Sequence, residues 1–223
     1  MRLWGLAVAG LYLAAITMLT APLIFWLGLA DSREAFEVYN EWGFWVFAAV
    51  MFLAQVLLLM VPVAVSERRP VSRRKLLVPI IVSGAMAGLL VFGISVSLFS
   101  GLFGDDWPGE EGTALGMVAV ATGSWIAWAI VFFRSTRSPR PEGVLERLMK
   151  WLFRGSLLQL LVAVPSHVAA RHRDDCCAPV ITFWGIATGL SVMLLSLGPG
   201  VFFLYRERFQ RLRGRTRESV PPA

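Results

Sequence analysis

The sequence predicts an all-α fold: a polytopic integral membrane protein, a six-transmembrane-helix bundle with both termini in the cytoplasm (N-in/C-in). Three observations carry that expectation. The 223 residues are 57% hydrophobic and 16% charged, against roughly 45–50% and about 25% for a soluble domain, and the mean hydropathy is +0.65. Six apolar runs approach or exceed the roughly 20 residues that a bilayer crossing needs. Between those runs, basic and acidic connections alternate. Twelve prolines and twenty glycines are too few for a disordered or collagen-like chain, so lipid is the solvent that accounts for the apolar excess.

The first span covers residues 3–29. Gly28-Leu29-Ala30 looks like a cleavage site, but the apolar stretch before it is far longer than the about 7–15 residues of a signal sequence, so the expectation is a retained helix. The second span is 43–65. The third, 76–103, carries Gly84, Gly88, Gly93, Ser97 and Gly101, small residues that let helix backbones approach closely in lipid. Packing within one chain is the expected use of that stripe, ahead of homo-oligomerisation. The fourth span is 114–133. The fifth has the shortest uncharged run, 155–170, and reaches 151–170 if Arg154 snorkels its guanidinium to the interface. Residues 142–151 before it are apolar at 144, 145, 148 and 151, a helical spacing that fits either an interfacial amphipathic helix or an inward continuation of the span. The sixth span, 180–205, contains Gly185-xxx-Gly189 and then Gly198-Pro199-Gly200, which is expected to kink or break it. Residues 1–205 thus read as a single transmembrane domain and 206–223 as a basic cytoplasmic tail.

Orientation follows from the loops, because basic connections resist translocation. Eighteen of the 21 Lys and Arg residues fall at the N-terminus, in the two connections after the second and fourth spans, and in the tail. Ten of the 15 Asp and Glu residues lie in the other three connections, with only Arg33, Arg171 and Arg173 beside them. This partition also interprets the pI of about 10.1. Basic residues spread along membrane edges match anionic headgroups, and no aromatic-interleaved patch or fold signature for nucleic acid accompanies them, so no nucleic-acid partner is expected. Nineteen arginines against two lysines hint at a GC-rich bacterial genome, and hence at the cytoplasmic (inner) membrane.

No charge is left deep within a span, which argues against a proton-coupled transporter or pump, since those rely on intramembrane ionisable groups. Gln55 and Gln159 remain as polar groups, of a kind that more often bonds a neighbouring helix than a substrate. Trp26, Trp42, Trp45, Trp107 and Trp184 near one boundary, and Trp4 and Trp151 near the other, read as interfacial belts.

One segment stands apart. His167-Val168-Ala169-Ala170-Arg171-His172-Arg173-Asp174-Asp175-Cys176-Cys177 contains both histidines and both cysteines of the chain, with two of the three outer arginines. His167 and Arg171, four apart, share a helix face. Pro179 suits the first turn of the sixth helix, which sets the cysteines just ahead of its N-terminus, where the dipole favours thiolate while Asp174 and Asp175 oppose it.

Three chemistries fit these residue types. In the first, Cys176, Cys177, His167 and His172 ligate a thiophilic metal ion (Cu or Zn), with Arg171, Arg173, Asp174 and Asp175 as supporting or ion-pairing groups. Adjacent cysteines lack the relaxed geometry of a Cys-x-x-Cys pair. The second is thiol redox change, in which a disulfide between neighbours closes a strained, easily reduced ring. The third is nucleophilic catalysis, with a cysteine as nucleophile, a histidine as base and an arginine for an oxyanion, although all three are crowded into one turn. Opposed to these is a structural role, with Arg171 and Asp175 paired and the thiols as small apolar residues. The expected function is a small inner-membrane protein whose outer turn binds a thiophilic metal ion or undergoes thiol redox change. The alternative is a non-catalytic subunit or assembly factor that docks a membrane-protein partner through the same turn.

Overall fold

In the computed structural model, residues 2–66, 73–104, 111–135, 141–173 and 176–218 are described. Among them are six α-helices: α1 (Arg2–Trp26), α2 (Trp42–Ser66), α3 (Arg73–Phe103), α4 (Glu111–Ser135), α5 (Pro141–His172) and α6 (Ala178–Glu218). A short 3-10 helix, Glu34–Asn40, joins α1 to α2. Each of the six α-helices contains a stretch long and apolar enough to cross a membrane. The acidic turn 105–110, with Trp107, lies outside the described residues, as do Asp174, Asp175 and residues 67–72.

The centre of the bundle is a triad in which α3, α5 and α6 each pack against the other two. The α1–α2 hairpin leans on α6, α2 also touches α3, and α4 sits outside, packed mainly on α3. Met51 and Leu58 from α2, Leu90 from α3, Leu148 and Leu152 from α5, and Val192 and Leu195 from α6 meet in one buried cluster. Between apolar helices in lipid there is little hydrophobic drive, so close backbone approach and interhelical hydrogen bonds hold such a bundle together.

The glycines show how that approach is made. A Cβ added at Gly84 would stand 3.0 Å from the Ala129 backbone, and one at Gly88 would stand 2.9 Å from the Trp125 backbone, so these two residues seat α4 on α3. Gly93 receives the Gln159 amide, Gly185 receives Ser97, and Gly198 receives the Gln55 amide. The small-residue stripe on α3 is thus consumed by contacts within the chain. Polar atoms add cross-links: Tyr12 donates to the Ser191 carbonyl at 3.0 Å, Gln159 Nε2 to the Gly185 carbonyl at 2.7 Å, and Trp125 Nε1 to the Ile81 carbonyl at 3.3 Å. Gln55 is fully buried, and both of its amide atoms lack a hydrogen bond within the protein.

Helix continuity bears on two expectations. Helix α5 runs unbroken from Pro141, so residues 142–151 belong to the same continuous helix as the span, with Val144, Leu145 and Leu148 buried in the main cluster. Helix α6 runs through Gly198-Pro199-Gly200 to Glu218 without interruption. Proline removes one backbone donor there, a loss that packed neighbours in a membrane helix tolerate; Pro22, Pro79 and Pro165 are likewise internal to helices. Trp26 and Trp42 are 82% and 78% exposed at one end, and Trp151 is exposed near the other, as interfacial rings would be.

Overpacking supplies a test. Gly88→Ala forces its methyl against backbone that a side-chain rotation cannot clear, and is expected to cost about 1–3 kcal/mol. Gly123→Ala on the open face of α4, where no atom lies within 4 Å, is expected to change stability by less than about 0.5 kcal/mol. Thermal unfolding of the two variants in detergent checks the contrast.

Candidate functional site

Helices α1, α3 and α5 all run toward the same end of the bundle, so three C-termini deliver carbonyls there that no helical N–H can reach. Helix α1 closes with a Schellman turn. Gly28, at φ +67°, donates to the Phe25 carbonyl at 2.9 Å, and Leu29 N–H donates to the Ile24 carbonyl at 3.2 Å. The left-handed conformation needs a residue without a Cβ. That turn leaves the Leu27 carbonyl outside the helical ladder.

His167 meets it. The imidazole is 3% exposed; its Nε2 lies 3.3 Å from the Leu27 carbonyl and its Nδ1 2.8 Å from the Thr182 hydroxyl on α6. A carbonyl only accepts, so Nε2 carries the proton. A neutral ring then takes Thr182 as donor at Nδ1, while a charged ring would let the hydroxyl donate instead to the Ala178 or Pro179 carbonyl, 2.9 and 3.0 Å away. One side chain from α5 therefore ties the end of α1 to the start of α6. One turn later, on the same face, the Arg171 guanidinium lies over Gly28; a Cβ there would stand 3.1 Å from its Nη2.

Arg173 serves α3 in the same way. Its guanidinium donates to the Leu102 carbonyl at 3.2 Å and to the Ser100 carbonyl at 3.0 Å, just before Gly104, which has φ +65°. A cation at a helix C-terminus also complements the helix dipole. His172 turns back on its own helix, with Nδ1 2.9 Å from the Val168 carbonyl.

The connection from α1 to α2 completes this end. The Tyr39 hydroxyl donates to the Thr17 carbonyl and accepts from Ala21 N–H at 3.3 Å, inserting itself into the α1 ladder beside Pro22, where a helix is prone to open. Trp45 Nε1 donates to the Tyr39 carbonyl at 2.7 Å, and Ala35 is buried with Ile24 and Phe183.

Cys176 and Cys177 are both exposed. Cys177 caps α6 with its backbone, accepting Val180 N–H at 3.0 Å and Ile181 N–H at 3.2 Å. The four residues expected to ligate metal are therefore divided. His167 is buried with both ring nitrogens engaged, whereas His172 and the two cysteines face outward. Among the described residues, no three His, Cys, Asp or Glu side chains are grouped so as to hold a metal ion. Tyr39 and Thr182 belong to this site without having been singled out in the sequence, and Gly28, noted there only within a cleavage-like tripeptide, belongs to it as a helix end. A glycine just after a long apolar run is a helix-end signal, and Gly28 carries it; nothing local marks Tyr39 or Thr182.

Comparison with known protein families, with curated proteins and with solved structures found no match.

Removing the His167 ring orphans the Leu27 carbonyl and leaves a void among three helices. His167→Ala is expected to destabilise the protein by about 2–3 kcal/mol, whereas His172→Ala, at an exposed ring, should cost less than about 0.5 kcal/mol. Thermal unfolding in detergent would show the difference, and equal effects would contradict these assignments.

Proposed function

We propose that the chain is a multi-pass protein of a bacterial cytoplasmic membrane, with both termini in the cytoplasm, and that it acts through the vicinal thiols of Cys176 and Cys177 on the extracytoplasmic side by thiol–disulfide exchange. The observation that carries this reading is the exposure of both cysteines on a turn whose two flanking helices are tied down by His167 and Arg173. The pair is open to a partner while its backbone is held. Exchange with an external disulfide first forms a mixed disulfide and releases one thiol. Attack by the neighbouring thiolate then releases the second and closes the strained ring between the two cysteines. The outer location favours that state over the reducing cytoplasm. A thiophilic ion, Cu or Zn, would rely chiefly on the same two sulfurs, with His172 as the accessible imidazole.

The charge partition between loops supports the orientation. A non-catalytic subunit or assembly factor is the second reading, favoured by α4: only 6% of its membrane window is buried within the chain, which leaves most of a helix for another membrane protein or a second copy.

Incubating the full chain in detergent with oxidised glutathione tests the first reading. The expected product is lighter by two hydrogens in intact-mass analysis, and Cys177→Ser is expected to stop at a stable glutathione adduct. Wild type of unchanged mass, or a Cys176→Ser/Cys177→Ser variant with full activity in a host, would contradict the thiol reading and leave the subunit role.

A further inference from the structure

At the end of the bundle where α1 begins and α6 ends, a cavity of about 540 Å³ opens between α5 and α6. Its walls include Met149, Phe153 and Leu197, its floor is Pro199-Gly200, and its polar rim is Glu146, Lys150 and Arg154. Glu146 and Lys150, one turn apart on α5, form an ion pair at 2.8 Å. Arg154, a further turn toward the bilayer, is exposed, and among the described residues it has no ion pair. Gly200 keeps the floor low, since a Cβ there would meet nothing within 4 Å.

Depth and charge together identify an occupant. Arg154 precedes His172, at the opposite end of α5, by 18 residues, which at 1.5 Å per residue is about 27 Å, close to the thickness of the hydrocarbon core. That length would set the guanidinium at the boundary between headgroups and acyl chains, with an apolar groove beside it and, among the described residues, no ion-pair partner for its positive charge. A phosphodiester at Arg154, with an acyl chain over Phe153 and Leu197, satisfies both halves, and basic pockets between membrane helices suit anionic headgroups.

We propose that this groove is a binding site for an anionic glycerophospholipid, whose phosphate pairs with Arg154 and whose acyl chain fills the cleft between α5 and α6. The site is independent of the thiol turn at the other end.

Native mass spectrometry of the full chain in detergent, titrated with phosphatidylglycerol and with phosphatidylcholine, tests it. Wild type is expected to retain phosphatidylglycerol preferentially. Arg154→Gln should weaken that binding about fivefold, the effect of one basic group at an anionic surface. Arg154→Lys should keep most of it, and Arg33→Gln, at the opposite end, should leave it unchanged. Gly200→Leu fills the cleft without backbone strain and should reduce binding of both lipids. Equal retention of the two lipids by wild type, indifference to Arg154→Gln and Gly200→Leu, or displacement of phosphatidylglycerol by millimolar inorganic phosphate would overturn the proposal.

Discussion

Helices that end near lipid present carbonyl groups that neither the helix nor water readily satisfies, and the architecture of this protein depends on how those groups are met. Among the described residues, three of the six long apolar helices finish at the same end. The first closes on a Schellman turn at Gly28, and the carbonyl that this turn leaves over, at Leu27, takes the proton of His167. The third passes its last carbonyls to Arg173. A buried acceptor without a partner costs about 1–3 kcal/mol, so these contacts are of the same order as several packed methyl groups. A guanidinium and an imidazole, on Arg173 and His167, are the donors that reach from the end of α5 to the ends of α3 and α1.

The rest of the bundle follows a complementary rule. Where helices must approach closely, one contributes glycine and the other a polar or bulky group that sits over it: Gln159 over Gly93, Ser97 beside Gly185, Gln55 against Gly198. Most of this polar interior is structural, as in the bond from Gln159 to Gly185. The two proposed sites, the thiol turn at one end and the Arg154 groove at the other, lie outside this interior.

The spans were legible because a long uncharged run has one favourable solution in lipid, and the observed helices match the expected runs closely except where a run is flanked by amphipathic sequence. There, periodicity alone could not tell an interfacial helix from a continuous one; burial of Leu145 and Leu148 against the bundle decides in favour of continuity. Local propensity predicts a kink or break at the Gly-Pro-Gly step in α6, and the helix is not broken there. The cluster between His167 and Cys177 was visible as an anomaly of composition. Its purpose was not, because the atoms that give His167 its role are a backbone carbonyl 140 residues away and a hydroxyl on the next helix, and those served by Arg173 lie 71 and 73 residues back. Residue types forecast metal or thiol chemistry for the whole cluster, whereas geometry divides it into a clamp and an exposed dithiol.

The clamp is the central claim, and the ring nitrogens of His167 report on it directly. In protein labelled with 15N at histidine, spectra should show one ring with Nε2 protonated, its shifts unmoved when Zn2+ is added, while the shifts of the exposed His172 ring move with added metal. Protonation at Nδ1 alone, or a His167 ring that shifts with added Zn2+, would contradict the account.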